Sequence, residues 1–170
     1  MLGSLPRSGL SGVTDVVGYV IRRAAAVDHD AEARELAAYL DFLGEPLDGD
    51  ELDRDIARWQ EAYDGARRVM LLVVDPAAAV VGTAAVRLLA PGVGELKRMW
   101  IRPEHQGRGL GRPLLDACLG EARGLGCHRL RLDSERRLEA AVHLYRAYGF
   151  TEIADYNGNP RAELWMEARL

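Results

Sequence analysis

Gly94-Glu95-Leu96-Lys97-Arg98-Met99-Trp100-Ile101-Arg102-Pro103-Glu104-His105-Gln106-Gly107-Arg108-Gly109-Leu110-Gly111-Arg112 reads as strand, loop and helix in succession. The apolar run Met99 to Ile101 ends a strand, Pro103 cannot donate to a ladder and stops it, and apolar residues recur at helical spacing from Leu110 onward. Gly107, Gly109 and Gly111 carry no Cβ to hold a ligand away from the backbone. The loop feeds a helix N-terminus, where free N–H groups and the positive dipole end favour phosphate. Arg108 and Arg112 add positive charge there, and with Lys97, Arg98 and Arg102 they form a local basic patch suited to a ligand phosphate. The stretch implies a pyrophosphate cradle.

Spacing narrows the kind of cradle. A dinucleotide fingerprint needs a third glycine where Arg112 stands, and a P-loop needs Gly-Lys-Ser/Thr after the turn. Neither is present. Gln106-x-x-Gly109-x-Gly111, after a strand ending at Ile101, resembles the acetyl-CoA motif of the GNAT acetyltransferase superfamily. Downstream, Ala141-Val142-His143-Leu144-Tyr145-Arg146-Ala147-Tyr148-Gly149-Phe150 is similar to that family's A-x-x-L-Y-x-x-x-G-F segment, one helix and one strand later. The resemblance covers roughly Val16 to Leu170 and is densest after Gly94.

The resemblance implies an α/β (α+β) fold: a mixed, mostly antiparallel central sheet of six to seven strands with about four flanking helices. It implies one N-acetyltransferase domain over residues 15–170, behind a loose tail of residues 1–14. The activity implied is transfer of the acetyl group of acetyl-CoA to a primary amine by direct attack in a ternary complex. An acyltransferase using a longer acyl-CoA and a non-catalytic acetyl-CoA-binding regulatory module are the alternatives. Met99, Trp100 and Ile101 would pair with the pantetheine arm as an added strand, and a strand N–H would face the developing negative charge. Gln106, Gly107, Arg108, Gly109, Leu110, Gly111 and Arg112 would hold the pyrophosphate.

Tyr145 matches the tyrosine usually assigned as the acid that reprotonates the leaving thiolate. It shares a helical face with Leu138, Ala141 and Val142, so a packing role is the competing reading, although a phenol can pack and still present its oxygen. Glu95 stands six residues before Ile101, where several family members carry a glutamate that acts as base. A solvated strand-end carboxylate is the plainer reading, and Lys97 on the same strand face would pair with it and lower its pKa. The family often carries an asparagine a few residues before A-x-x-L-Y. Here Arg136-Arg137-Leu138-Glu139 stands instead. Tyr156, Asn157 and Asn159 either border the acceptor site or form a plain Asn-Gly turn.

With 170 residues and 48% hydrophobic content, the chain buries one core. A net charge of −4 argues against a nucleic-acid-binding surface. Cys118 and Cys127 lack paired metal-ligand spacing and read as reduced packing residues, and the four histidines imply no metal. No apolar run approaches the ~18 residues of a membrane helix and no signal-peptide core is present, so a cytoplasmic protein is expected. The expected acceptor is a small-molecule amine, with a protein amine as the alternative, and the expected assembly is a monomer or homodimer.

Further expectations follow from periodicity. Val16 to Arg22 reads as one strand, and a helix runs from Asp28 or Asp30 to Leu43 with Leu36, Tyr39, Leu40 and Leu43 on one face before Gly44 ends it. A second, acidic helix opens at Asp50, with Leu52, Ile56, Trp59 and Tyr63 on its apolar face. It either flanks the acceptor groove or simply faces the core. Val69–Val74 and Val80–Leu89 form a hairpin around Asp75-Pro76. Leu110, Leu114, Cys118, Ala122 and Leu125 mark the buried side of the helix after the glycine loop. Leu130 to Leu132, a helix from about Arg136 to Tyr148, and strands Phe150–Ile153 and Glu163–Glu167 complete the chain.

Overall fold

The computed structural model describes residues 14–16, 18–44 and 67–170. The helix expected from Asp50, with Trp59 and Tyr63, lies outside the described residues, as do residues 1–13 of the expected tail. Thr14 opens the first strand.

Among the described residues, eight strands form one sheet in the order β1-β2-β3-β4-β5-β6-β8-β7. They are β1 (Thr14–Val16), β2 (Tyr19–Arg23), β3 (Arg68–Val74), β4 (Val80–Ala90), β5 (Val93–Ile101), β6 (Arg129–Ser134), β7 (Thr151–Ile153) and β8 (Leu164–Arg169). Three α-helices accompany them among the described residues: α1 (His29–Leu43), α2 (Gly111–Gly124) and α3 (Glu139–Ala147). All neighbours pair antiparallel except β5 with β6. A parallel pair needs a crossover, which the glycine loop and α2 provide. The mixed α+β class is the one expected, and the sheet carries one strand beyond the expected range. The extra strand arises because Gly18, at φ 82°, turns the chain inside what reads as a single run, pairing Val16 with Tyr19.

Helices α2 and α3 cover one sheet face. Leu114, Leu115, Cys118 and Ala122 of α2 are fully buried against Val69, Leu71, Val73, Ala84 and Val86. Each buried leucine contributes about 1.5–3 kcal/mol by transfer alone. The other face carries α1 and a smaller cluster of Met70, Leu72 and Ala85. With both faces covered, β3 reads as an uninterrupted buried run rather than an alternation. Both cysteines are free and buried.

Two terminations position the site. Gly44 closes α1 at φ 75°, the left-handed conformation that glycine adopts without a Cβ penalty. α3 starts at Glu139, later than its periodicity suggests. The backbone N–H of Arg136 donates to Glu163, the Arg136 guanidinium bonds Glu152, and Leu138 N–H closes a turn onto Glu135. Those hydrogen bonds compete with a helical start.

β5 is bent at its middle. Thr83 pairs with Trp100 but Ala85 with Lys97, so two steps on β4 oppose three on β5. The extra residue sits at a bulge where Arg98 takes φ 55° and its carbonyl accepts from Thr83 Oγ1 at 3.1 Å. β5 therefore pairs with β6 only from Val93 to Glu95 and then diverges, which opens a fork between the two strands.

Candidate active site

One wall of the fork is the free edge of β5. Arg102 N–H donates to Val81 C=O, and Gly82 pairs with Ile101. Antiparallel alternation then turns the backbone of Trp100 toward β4 and that of Met99 and Ile101 toward the fork. Of the three residues expected to offer backbone groups, Met99 and Ile101 do so, while the Trp100 ring packs on Tyr39 and Phe42 beneath. Gln106 Nε2 donates to Ile101 C=O at 2.8 Å and joins the strand end to the glycine loop.

The loop continues this wall. A 710 Å³ groove runs along Met99, Ile101, Gln106, Gly107, Gly109 and Arg112 to the start of α2. Gly107 and Gly109 hold φ 72° and 78°, a conformation that strains any residue with a Cβ. A Cβ added at either would meet no other atom within 4 Å, so both lie open to the groove. Gly111 and Arg112, whose N–H groups stand at the first turn of α2 where a helix supplies no acceptor, both line this space. These features fit the pyrophosphate of acetyl-CoA. Leu110 lines the groove too, but its side chain is 2% exposed and belongs to the core.

The expected basic patch disperses. Lys97 is bonded to Asp133, and Arg102 is held by Glu35 through Nε and Nη2 at 2.8–3.1 Å. The Arg102 pair ties α1 to the base of the loop. Arg108 reaches back to Glu104 C=O at 3.3 Å and is absent from the groove wall. Arg112 is the arginine of the loop that lines it.

Tyr145 stands where the groove meets a second cavity of 200 Å³. The two spaces share Tyr39, Met99, Leu138, Ala141 and Tyr145 as common wall. The Tyr145 ring packs on Phe150 at 5.8 Å, and its hydroxyl points at Met99 Sδ, 3.8 Å away. The ring thus packs in the core while the hydroxyl meets Met99, a residue of both walls. Burial pushes the phenol well above its ordinary pKa, so it carries its proton throughout the neutral range.

Glu95 lies elsewhere. Its side chain is wholly buried, not solvated, and it is absent from the wall of the second cavity, although Leu96 and Lys97 line it. Oε2 takes the Arg87 guanidinium, and Oε1 accepts from Tyr156 Oη at 2.9 Å and Asn157 Nδ2 at 3.3 Å. Lys97 Nζ is 3.8 Å from Glu95 but prefers Asp133, so the expected strand-face pair is the weaker of its two contacts. Both Glu95 oxygens are thus engaged, and the residue is not part of the cavity wall that Lys97, Asp133 and Tyr145 share.

Two carboxylates do line the cavity, Glu135 and Asp133. Glu135 is taken by Arg137 at 2.6 Å, whereas Asp133, near the end of β6, has Lys97 and Asn159 beside it in the cavity wall. Burial alone would raise the Asp133 pKa. The hydrogen bond and charge of Lys97, with the amides of Asn159 and Asn157, outweigh burial and hold it below the ordinary value. The polar loop is both an Asx turn, in which Asp155 Oδ1 accepts from Asn157 and Gly158 N–H, and a cavity border through Asn159.

The model of the acetyltransferase (GNAT) family matches residues 32–150. The chain belongs to this family. An N-acetyltransferase of Schizosaccharomyces pombe is 32% identical over 123 residues, covering 72% of this chain and 76% of that one. A Salmonella typhimurium protein solved with its cofactor acetyl-CoA superposes with a TM-score of 0.70 at 23% identity, covering 89% and 94% of the two chains. A spermidine N-acetyltransferase from Vibrio cholerae, in complex with CoA and spermine, gives 0.65 at 20% identity over 88% and 93%.

Within this GNAT chain, sequence reasoning passed over Asp133, although Arg129-Leu130-Arg131-Leu132-Asp133 alternates strictly and sets Arg131 and Asp133 on one face of β6. It also passed over Tyr39 as a cavity residue. Among the described residues, no group of three His, Cys, Asp or Glu side chains could hold a metal ion, and no helix is long and apolar enough to cross a membrane.

Proposed function

We propose that this GNAT chain transfers the acetyl group of acetyl-CoA to the primary amine of a small acceptor. The reading is carried by Tyr145, which lines both the groove and the second cavity and whose hydroxyl lies against Met99, another residue of both walls. Acetyl-CoA supplies an activated acyl group as a thioester. Gly107, Gly109, Gly111 and Arg112 would hold its pyrophosphate, and the Met99 and Ile101 backbone its extended arm. The acceptor occupies the 200 Å³ cavity, whose size favours a small amine over a folded protein chain.

The balance of the step is simple. The amine lone pair forms the new N–C bond, the C–S bond breaks, and the thiolate takes the Tyr145 proton. The proton shed by nitrogen goes to water, and Tyr145 is reprotonated from solvent. With Glu95 engaged by Arg87, Tyr156 and Asn157, the acceptor reacts as its free-base fraction.

The test is release of CoA thiol from acetyl-, propionyl- and butyryl-CoA over amino acids, spermidine, an aminoglycoside and a peptide N-terminus. Amine-dependent release, fastest with acetyl-CoA, is expected. Binding of acetyl-CoA without release on any amine would replace this reading with the regulatory module, and faster release from butyryl-CoA with the longer-chain acyltransferase.

A further inference from the structure

Three side chains of the β7–β8 connection converge on two carboxylates of the fork. Tyr156 Oη donates to Glu95, Asn157 Nδ2 bridges Glu95 and Asp133 at 3.3 and 3.2 Å, and Asn159 Nδ2 donates to Asp133 Oδ2. From below, Arg87 closes on Glu95, and Lys97 on Asp133. Two cations thus balance two anions, and the loop adds four hydrogen bonds to them. Trp165 Nε1 donates to Asn157 Oδ1 at 2.9 Å, which turns the amide's NH₂ toward both carboxylates. Arg131 covers the Tyr156 ring at 5.3 Å.

The network has an inner and an outer part. Glu95 and Tyr156 are absent from the cavity wall, whereas Lys97, Asp133 and Asn159 line it together with Tyr145. Apart from a longer 3.8 Å contact with Lys97, the buried Glu95 carboxylate reaches the cavity through the loop, so its effect on the acceptor runs mainly through placing that loop. Asp133 and Asn159 line the cavity, and their contacts with Lys97, Asn157, each other and Arg161 N–H use part of their hydrogen-bonding capacity. The further acceptor sites of the carboxylate and the second N–H of the Asn159 amide are what a donor or acceptor beside the reacting amine would meet.

We infer that Glu95 is a positioning residue: it anchors Tyr156–Asn159 over the fork so that Asn159 and Asp133 form a polar wall selecting small amines with a second hydrogen-bonding group near the reacting nitrogen. The inference rests on the acetyl-transfer reading above and deepens it. A donor-acceptor amine such as glycinamide meets this wall, and n-propylamine, of similar size, leaves it unsatisfied.

The experiment measures kcat and KM for glycinamide and n-propylamine in the parent, Tyr156→Phe and Glu95→Gln. Comparing each variant's ratio with the parent's cancels the different basicities of the two amines. Tyr156→Phe removes only the anchoring hydroxyl and guards against loss of fold in Glu95→Gln, where the Arg87 guanidinium loses its anion. Both variants should raise the glycinamide KM roughly tenfold, the scale of one buried hydrogen bond, and move the n-propylamine KM much less. Acetyl-CoA affinity and the pH profile of kcat should stay those of the parent. A Glu95→Gln profile depressed at neutral pH and recovering at alkaline pH, with glycinamide KM unchanged, would overturn the inference and return Glu95 to the role of base.

Amide hydrogen exchange of residues 155–161 reads the anchor without turnover. It should accelerate in Tyr156→Phe, and equal protection would also overturn the inference. A parent enzyme that binds acetyl-CoA but releases no CoA with any amine would instead refute acetyl transfer, leaving the exchange result to judge the anchor alone.

Discussion

The glycine-loop groove and the charged fork share strand β5 and are built from opposite materials. The groove is made of main chain: the free edge at Met99 and Ile101, a bulge at Arg98, and glycines at φ 72° and 78°. The fork around Glu95 and Asp133 is made of side chains, with two carboxylates, two cations and three loop residues. Main-chain sites fail when a Cβ is added and tolerate changes of charge. Charged, buried sites behave the other way, because removing one partner leaves the other uncompensated. Substitutions should therefore sort by region, in kind as well as size.

The largest effect belongs to the groove. Gly109 has open space around it, so a glutamine fits sterically, but its φ of 78° costs an L-residue about 1–2 kcal/mol and its side chain stands in the groove. Gly109→Gln should stay folded and lose the thermal stabilisation that acetyl-CoA gives the parent. A folded variant with the parent's full shift would remove the glycine loop from the binding site and dissolve the contrast between the regions.

Tyr145 is the point of contact between the two materials, a side chain set in the groove's own wall. Phenylalanine keeps the packing on Phe150 and removes the hydroxyl. Tyr145→Phe should bind acetyl-CoA as the parent does while kcat falls roughly 10²-fold, the scale of acid–base assistance. Parental turnover at saturating substrates would make Tyr145 a packing residue.

This division also explains what the sequence discloses. The glycine loop, α2, the β3–β4 hairpin and Tyr145 are written locally, in residues a few positions apart with a 2.0 or 3.6 period. The fork is not local. Glu95 meets Tyr156 and Asn157 across 61 and 62 positions, and Lys97 meets Asp133 across 36. No spacing rule links such residues. The basic patch misled for the same reason, since Glu35, which takes Arg102, lies 67 positions away on another element. Gly18 and the turn before α3 are boundary effects, where one positive φ or one competing carboxylate overrides a periodic run.

The Glu35–Arg102 pair tests how far the regions depend on each other, because it joins helix α1 to the base of the groove. Glu35 is 1% exposed while the Arg102 side chain is a third exposed, so solvent screens part of the pair. Glu35→Gln should lower stability by about 1–2 kcal/mol in urea unfolding. It should weaken acetyl-CoA binding only severalfold, because Arg102 N–H stays bonded to Val81 C=O. Loss of binding as complete as in Gly109→Gln would make the groove a side-chain site after all.

The smallest effect sharpens the fork itself and is seen through pH. Asp133 is held below its ordinary value of 3.8 against the opposing pull of burial, by Lys97 and the two asparagine amides. A carboxylate whose folded pKa is depressed stabilises the fold above its unfolded pKa, and that contribution disappears as pH falls through the lower folded value. Parent stability should therefore decline below about pH 4 through this residue. Asp133→Asn keeps the shape and cannot titrate, so it should be less stable than the parent at pH 7 and approach it in the acid range. Urea unfolding of both proteins from pH 7 to pH 3 measures the gap. A gap of constant size across that range would mean that the Asp133 pKa is the same folded and unfolded, so that neither the Lys97 charge nor the asparagine amides favour its ionised form, and the fork would have little ionic character.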